Sequence, residues 1–159
     1  MKLLEFLVPE AITVDLKATD KEGVIREIVG RLRDARALAA NDCESVIKAI
    51  LSREELGSTG IGRGVAVPHT RHPSVDKLVA CIATSKKGVD FASLDDQPAF
   101  VFFLLISPPN QPGPHLRALD NAARYMRDDK FVDSLRDANS SENVISLIRE
   151  MDAHHHPGS

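Results

Sequence analysis

Residues 99–106 read Ala-Phe-Val-Phe-Phe-Leu-Leu-Ile, the longest uninterrupted apolar run in the chain. Eight residues suit a β-strand that is buried on both faces, and such a strand belongs to a sheet covered by helices on both sides. The run is much shorter than the roughly 18 apolar residues of a membrane-spanning helix, so no direct insertion into a membrane is expected. The fold class predicted is α/β, with a single mixed β-sheet flanked by helices on both faces.

The segments around this run show alternating helical and strand patterns. Apolar residues at helical spacing predict helices over about 19–35, 41–56, 114–126, 130–138 and 140–151. Shorter strands are predicted over 12–15, 65–67 and 78–84, with a turn at Lys86-Lys87-Gly88. Because helical segments come first and last, these patterns agree with the α/β prediction.

Length and charge limit what the chain can be. Its 159 residues are about the size of one domain, and the formal net charge is −3. This balance does not favour a nucleic acid partner, which attracts basic proteins. We expect one domain over residues 1–151. The tail at 152–159, with three successive histidines, has no core pattern and is expected to be disordered.

The cysteines and the N-terminus point to the cytoplasm. Cys43 and Cys81 lie in separate apolar contexts without CxxC spacing, which is typical of buried free thiols in a reducing compartment. Glu5 and Pro9 interrupt the apolar residues at the start of the chain, so this segment makes a poor signal peptide. A cytoplasmic location is therefore expected.

A glycine-rich loop and a histidine form the first candidate site. His69 follows the predicted strand 65–67 and Pro68, so it lies where a strand ends. The loop before it has neither the spacing of a dinucleotide fingerprint nor the Gly-Lys-Ser/Thr of a Walker A motif. Glycine allows backbone N–H groups to approach an anion closely. The candidate phosphate-loop residues are Gly57, Ser58, Thr59 and Gly60.

Arg53 and His115 extend this candidate site. Arg53 lies near the end of the helix before the loop, where its guanidinium group could bind an anion in bidentate fashion. His115 lies at the predicted N-terminus of a later helix, and a helix N-terminus favours negative charge. Two histidines, an arginine and a glycine loop suit a phosphorylated imidazole better than a hydrolase.

A metal centre is the alternative reading of the same histidines. His69 and His72 have i, i+3 spacing, and His115 could be a third ligand of a hydrolytic metal ion. Arg71 lies between the first two histidines, and the chain contains no metalloprotease motif. A metal site is therefore not the favoured prediction.

The sequence resembles the enzyme IIA domain of the fructose/mannitol type from the bacterial phosphoenolpyruvate-dependent phosphotransferase system, a family that includes nitrogen-regulatory members. The similarity extends from about residue 3 to residue 151. It rests on Ser-Arg-Glu-Glu-Leu-Gly-Ser-Thr-Gly-Ile-Gly at 52–62, Val-Ala-Val-Pro-His at 65–69 and Pro-His-Leu at 114–116. The combination is specific because the arginine and both histidines match in order and separation.

This resemblance implies a function as a phosphocarrier without a metal or other cofactor. It implies that His69 accepts a phosphoryl group from phosphorylated HPr, or its nitrogen-branch counterpart, that Arg53 contacts the phosphate and that His115 lies beside it. The acceptor would be a regulatory target or a sugar-specific IIB component, and both roles stay open. Thr70 departs from the family, where a very small residue is usual, and its β-branched side chain can alter the approach of a partner.

Partner proteins must reach His69, so the surface around it should be exposed and moderately apolar. The candidates for this surface are Ile61, Val89, Phe91 and Pro112, each of which could equally belong to the core.

Overall fold

A computed structural model describes residues 1–158 of the protein, and Ser159, the last residue of the expected tail, lies outside them. In chain order, the elements are α1 (Lys21–Asp34), α2 (Cys43–Glu55), β1 (Gly60–Gly62), β2 (Val65–Ala66), β3 (His69–Arg71), β4 (Val79–Val89), β5 (Ala99–Ser107), α3 (Pro112–Tyr125), α4 (Asp129–Asp137) and α5 (Ser141–His155). Short 3₁₀ turns lie at Leu3–Glu5, Pro9–Ala11 and Ala40–Asp42. Within residues 1–158, no helix has the length and apolar character needed to cross a bilayer.

The strands form one mixed sheet around β5. β5 pairs in parallel with β2 and then with β3 along one edge, and it pairs antiparallel with β4 along the other. β1 extends the sheet beyond β2 in antiparallel orientation. The predicted mixed sheet is therefore confirmed, with the apolar run at its centre.

Side chains of β5 alternate between two cores. Phe102 and Leu104 belong to a cluster that contains the apolar faces of α1 and α2. Phe103 and Leu105 belong to a second cluster, with α3, α4 and α5. Successive strand residues point to opposite faces, so a continuously apolar strand needs a helical layer on each side. The predicted arrangement of helices on both faces is confirmed.

Several predicted boundaries differ from the structure. β4 continues through the turn predicted at 86–88, because a register shift between Thr84 and Val89 and a positive φ of 84° at Gly88 absorb the irregularity within the strand. Residues 12–15 form no strand; they pair with β4 through an isolated bridge between Thr13 and Ala83, and the N–H of Asp15 donates to Oγ1 of Thr84. α3 begins two residues earlier than expected, at Pro112, since proline fits the first position of a helix.

The expectation of a disordered tail is wrong for residues 152–155, which form the last turn of α5. The Asp152 side chain is buried and accepts hydrogen bonds from the backbone N–H groups of Leu3 (2.8 Å) and Leu4 (3.1 Å). The Tyr125 hydroxyl donates a third hydrogen bond to Asp152 (2.5 Å), and the His155 ring stacks on Tyr125. Asp152 thus joins the end of α5 to the core through a carboxylate. The spacing of apolar residues does not indicate such a contact.

We expect Asp152→Ala to lower the free energy of unfolding by about 2–3 kcal/mol, because it leaves two backbone donors and a buried hydroxyl without their acceptor. Urea unfolding followed by circular dichroism measures the change. The matched control is Glu150→Ala, an exposed acidic residue on the same helix. Equal unfolding midpoints for the two variants would show that Asp152 does not hold the N-terminal segment.

Candidate functional site

A cavity of about 670 Å³ lies beside the end of the sheet where β3 and β5 finish. Because these strands run parallel, the segments that follow them meet at the same edge. The end of α2, the loop after β5 and the first turn of α3 complete the walls. The lining residues are Arg53, His69, Thr70, Arg71, Pro109, Pro112, His115 and Leu116. The structure thus brings together the three side chains predicted from the sequence to act on an anion.

The backbone of the preceding strand orients the His69 ring. Its Nδ1 lies 2.7 Å from the carbonyl oxygen of Val67. A carbonyl can only accept a hydrogen bond, so Nδ1 carries the proton and donates it. In the neutral ring, Nε2 then keeps an unshared electron pair.

Burial keeps the His69 ring neutral. It lowers the pKa of His69 below the ordinary value for histidine; the Val67 hydrogen bond opposes this effect, and the nearby positive charge of Arg53 adds to it. At neutral pH the ring is therefore mainly unprotonated. An imidazole in this state is a nucleophile.

His115 lies next to His69, with 5.5 Å between the ring centroids. It is 7% exposed, and its Nδ1 lies 2.7 Å from the Oγ of Ser107. Burial, together with the charges of His69 and Arg71, lowers the pKa of His115 to about 4. Both histidines of the site are therefore neutral near pH 7.

Two guanidinium groups supply the positive charge of the cavity. Arg53 Nη1 donates to the carbonyl oxygen of Gly57 (3.1 Å), which holds the side chain near the end of α2. Arg71 lies two residues beyond His69 on β3. Alternate residues of a strand point to the same side, so this spacing was the signal that could have identified Arg71 from the sequence. Within residues 1–158, no carboxylate lines the cavity, and this charge distribution favours an anion.

Three N–H groups of the glycine-rich loop, which was predicted to bind a phosphate, donate to acceptors within the protein. Residues 57–60 are not part of the cavity wall. The N–H of Gly57 donates to the Glu54 carbonyl, that of Thr59 to the Glu54 carboxylate and that of Gly60 to Ser58 Oγ. These three N–H groups are therefore already bound within the protein. The acceptors are the backbone carbonyl and carboxylate of Glu54 and the hydroxyl of Ser58, all close in sequence, and the binding of an anion by the loop stays a prediction.

Glu54 is a residue of the site that the sequence analysis missed. It is buried and accepts hydrogen bonds from the N–H and hydroxyl of Thr59 and from Nζ of Lys21 (2.9 Å). The Thr59 carbonyl in turn accepts from the N–H of Val67 (2.9 Å), whose own carbonyl holds the His69 ring. Position 54 continues the helical spacing of Val46 and Ile50 on the buried face of α2, which was the available signal.

Glycine is required at position 60 because the backbone there lies very close to that of Ser93. A Cβ atom at this position would lie 2.9 Å from the Cα of Ser93, a distance that real Cβ atoms do not show. The Ser58 hydroxyl also donates to the carbonyl of Phe91 (2.6 Å). The loop therefore packs tightly against the segment that follows β4.

The candidates for a partner-facing surface divide into two groups. Val89 and Phe91 are fully buried and belong to the core, so their assignment to this surface is wrong. Ile61 and Pro112 are exposed, as expected for such a surface. Thr70 is half-buried and lines the cavity directly beside His69.

The three histidines of the alternative metal centre are not arranged as a ligand set. His72 Nε2 lies 2.8 Å from Ser45 Oγ, and its Nδ1 accepts from the N–H of Ser74 (3.0 Å). Across residues 1–158, no three His, Cys, Asp or Glu side chains are close enough to hold a metal ion together.

The fold and the cavity define a class of protein: a small α/β protein in which a neutral histidine faces a positively charged site for an anionic group. Residues 5–151 match the family described as phosphoenolpyruvate-dependent sugar phosphotransferase system, EIIA 2, and the chain belongs to this family. The resemblance found in the sequence is thereby confirmed.

Similar proteins within the family have two kinds of name. A nitrogen regulatory protein of Bradyrhizobium diazoefficiens is 32% identical over 93% of this chain and 95% of its own length. A fructose-specific EIIABC component of Bacillus subtilis is 36% identical over 96% of this chain and 24% of its own length. The crystal structure of the nitrogen regulatory protein IIA-Ntr from Neisseria meningitidis superposes with a TM-score of 0.82 at 30% identity, covering 91% of this chain and 97% of that one.

The low pKa of His115 predicts a specific pH dependence of stability. The pKa is about 4 in the folded protein and near 6.5 in an unfolded chain, so the unfolded state binds more protons between these values. The contribution of His115 is complete above about pH 6.5 and is lost as the pH falls towards 4.

From about pH 7 to about pH 5, we expect the protein to lose roughly 1–2 kcal/mol more stability than His115→Gln, whose side chain does not titrate. Urea unfolding at both pH values measures the difference. Parallel losses in the two proteins would contradict the buried, neutral state of His115.

Proposed function

We propose that the protein is a phosphocarrier that accepts a phosphoryl group on Nε2 of His69 from the phosphohistidine of HPr or its nitrogen-branch counterpart. The observation that supports this most directly is the 2.7 Å hydrogen bond from His69 Nδ1 to the Val67 carbonyl. It leaves Nε2 as the nucleophilic atom of a neutral ring in a cavity lined by two arginines. The protein would act as a stoichiometric component of a phosphotransferase.

The proposed phosphoryl transfer requires no proton to leave or join the His69 ring. The electron pair of Nε2 forms a bond to phosphorus as the P–N bond of the donor phosphohistidine breaks, and that electron pair returns to the donor ring. The phosphorylated His69 ring retains its proton on Nδ1 and carries a positive charge. The Val67 carbonyl oxygen, which accepts from Nδ1, stabilises this charge.

The side chains around His69 have distinct proposed roles. Phosphoryl transfer proceeds through a loose transition state whose negative charge lies on the equatorial oxygens, so catalysis depends on positioning and on charge stabilisation. Arg53 would bind these oxygens with its guanidinium group, and Arg71 provides a second positive charge in the same cavity. His115, whose ring centroid lies 5.5 Å from that of His69, would contact the phosphoryl group as a neutral partner.

The loop residues contribute indirectly in this proposal. Gly57, Ser58, Thr59 and Gly60 lie outside the cavity wall, and we assign them to holding the backbone before His69. The connection runs from Glu54 through Thr59 to Val67.

We favour a regulatory role of the nitrogen type for the phosphorylated protein. The similarity in fold and sequence to IIA-Ntr of Neisseria meningitidis supports this choice. The 36% identity to a fructose-specific component supports the second candidate, delivery of the phosphoryl group to a sugar-specific IIB component. Incubating the ³²P-labelled protein with purified fructose- and mannitol-type IIB components distinguishes the two, since rapid loss of label to either one identifies a sugar-uptake relay.

We expect phosphoenolpyruvate, enzyme I and HPr, or the nitrogen-branch pair, to add one phosphate to the protein and none to His69→Ala. Intact-mass spectrometry at alkaline pH measures the addition, because phosphohistidine is lost in acid. The matched control is His72→Ala, which removes a neighbouring histidine that lies outside the cavity wall. Stoichiometric labelling of His69→Ala would refute the assignment of the acceptor.

Arg53→Lys should slow phosphorylation by about tenfold or more, since an ammonium group cannot reproduce bidentate contacts to phosphoryl oxygens. Quenched-flow labelling with the phosphorylated donor measures the rate constant. Arg26→Lys is the control, because Arg26 is an arginine of α1 paired with Glu22 and Glu44. An unchanged rate for Arg53→Lys would remove Arg53 from the proposed mechanism.

A further inference from the structure

A buried serine makes the closest polar contact of the His115 ring. Ser107 is the last residue of β5 and is completely inaccessible to solvent. Its Oγ lies 2.7 Å from Nδ1 of His115. Its backbone carbonyl accepts a hydrogen bond from the N–H of His72 (2.8 Å), which fixes the main chain at this position. The main chain that carries the hydroxyl group is therefore held in place independently of His115.

The direction of this hydrogen bond follows from the burial of the hydroxyl. Among residues 1–158, Nδ1 of His115 is the partner that the structure gives to Ser107 Oγ. If Nδ1 donated to Oγ, the hydroxyl proton would be buried without an acceptor, which is unfavourable. If the hydroxyl donates to Nδ1, the hydroxyl proton is bonded, and only the electron pairs of the oxygen are left without a partner. The second arrangement places the ring proton of a neutral His115 on Nε2.

We propose that Ser107 is a positioning residue that selects the Nε2–H tautomer of His115, so that the two histidines of the cavity have opposite tautomers. His69 has its proton on Nδ1, bound to the Val67 carbonyl, and a free electron pair on Nε2. His115 has its proton on Nε2 and its Nδ1 electron pair bound by Ser107. This inference rests on the proposed phosphoryl transfer to His69 and adds the reason why the two rings behave differently.

The opposite tautomers assign one role to each ring. With the proton on Nε2, His115 donates a hydrogen bond to a phosphoryl oxygen and has no free nitrogen electron pair to attack phosphorus. With the other tautomer, His115 would present an electron pair that repels the phosphoryl oxygens and competes with His69 as a nucleophile. The low pKa of about 4 excludes a doubly protonated ring near pH 7. The tautomer alone therefore determines whether His115 presents a proton or an electron pair to the phosphoryl group.

Nitrogen-15 NMR of imidazole-labelled protein tests the inference directly, since protonated and unprotonated ring nitrogens have well-separated shifts. At pH 7.5, we expect His69 to be protonated on Nδ1 and His115 on Nε2. In Ser107→Ala, the Nδ1 shift of His115 should move because its donor is lost, and Ser107→Thr should restore it. Finding the His115 proton on Nδ1 in the unmodified protein would overturn the proposal.

Transfer kinetics provide the second readout. We expect Ser107→Ala to slow phosphoryl exchange with the donor by about tenfold, because the donor to the phosphoryl oxygens is no longer held in one orientation. Ser107→Thr should stay close to the original rate. Ser85→Ala is the matched control, since Ser85 is also a buried serine of the sheet, but its Oγ accepts from the N–H of Gly88 (3.1 Å) and contacts neither histidine of the cavity.

The two measurements separate this inference from the proposed function. A Ser107→Ala rate equal to that of the control, with a folded protein, would overturn the positioning role. If the unmodified protein takes no phosphate on His69, the proposed function fails. The NMR tautomers of the unmodified protein still test the assignment of the His115 proton in that case.

Discussion

The burial of β5 on both faces is the constraint on which the rest of the structure depends. A strand without a polar face must be central in its sheet and must have a helical layer on each side. β5 therefore takes β4 along one edge, and β2 followed by β3 along the other. The parallel pairing with β3 brings His69 beside the end of β5, and the chain that leaves β5 places His115 next to it. The active geometry is thus a consequence of how one apolar strand is covered.

A chain of hydrogen bonds connects the helical layer to the His69 ring. Lys21 of α1 pairs with Glu54 of α2, and Glu54 binds the loop at Thr59. Thr59 binds Val67, whose carbonyl orients His69. Because each of these groups is satisfied by the next, the position of the nucleophilic nitrogen depends on the packing of α1 against α2. Gly60 supports this arrangement through its close backbone contact with Ser93.

Periodicity and element ends made much of the fold and three site residues predictable. Arg53 and His69 lie where an apolar pattern ends and His115 where one begins, and the ends of elements meet in α/β folds. The functions of Glu54 and Asp152 could not be predicted in the same way. Both are buried carboxylates whose oxygens accept hydrogen bonds from backbone N–H groups. The donor to Asp152 is distant in sequence, and the donor to Glu54 belongs to a loop. Apolar spacing indicates which side chains are buried. Buried polar hydrogen bonds depend in addition on partners that come together only in the folded chain.

The site separates the positive charge from the nucleophile. Arg53 and Arg71 supply the positive charge of the cavity and, in the proposed function, would attract the phosphoryl group. Burial lowers the pKa of both histidines, which stay neutral beside these charges. A protonated histidine would add attraction for the anion but would lose the electron pair that must form the new bond. In the proposed function, this conflict is avoided because the arginines carry the positive charge and a neutral histidine provides the electron pair.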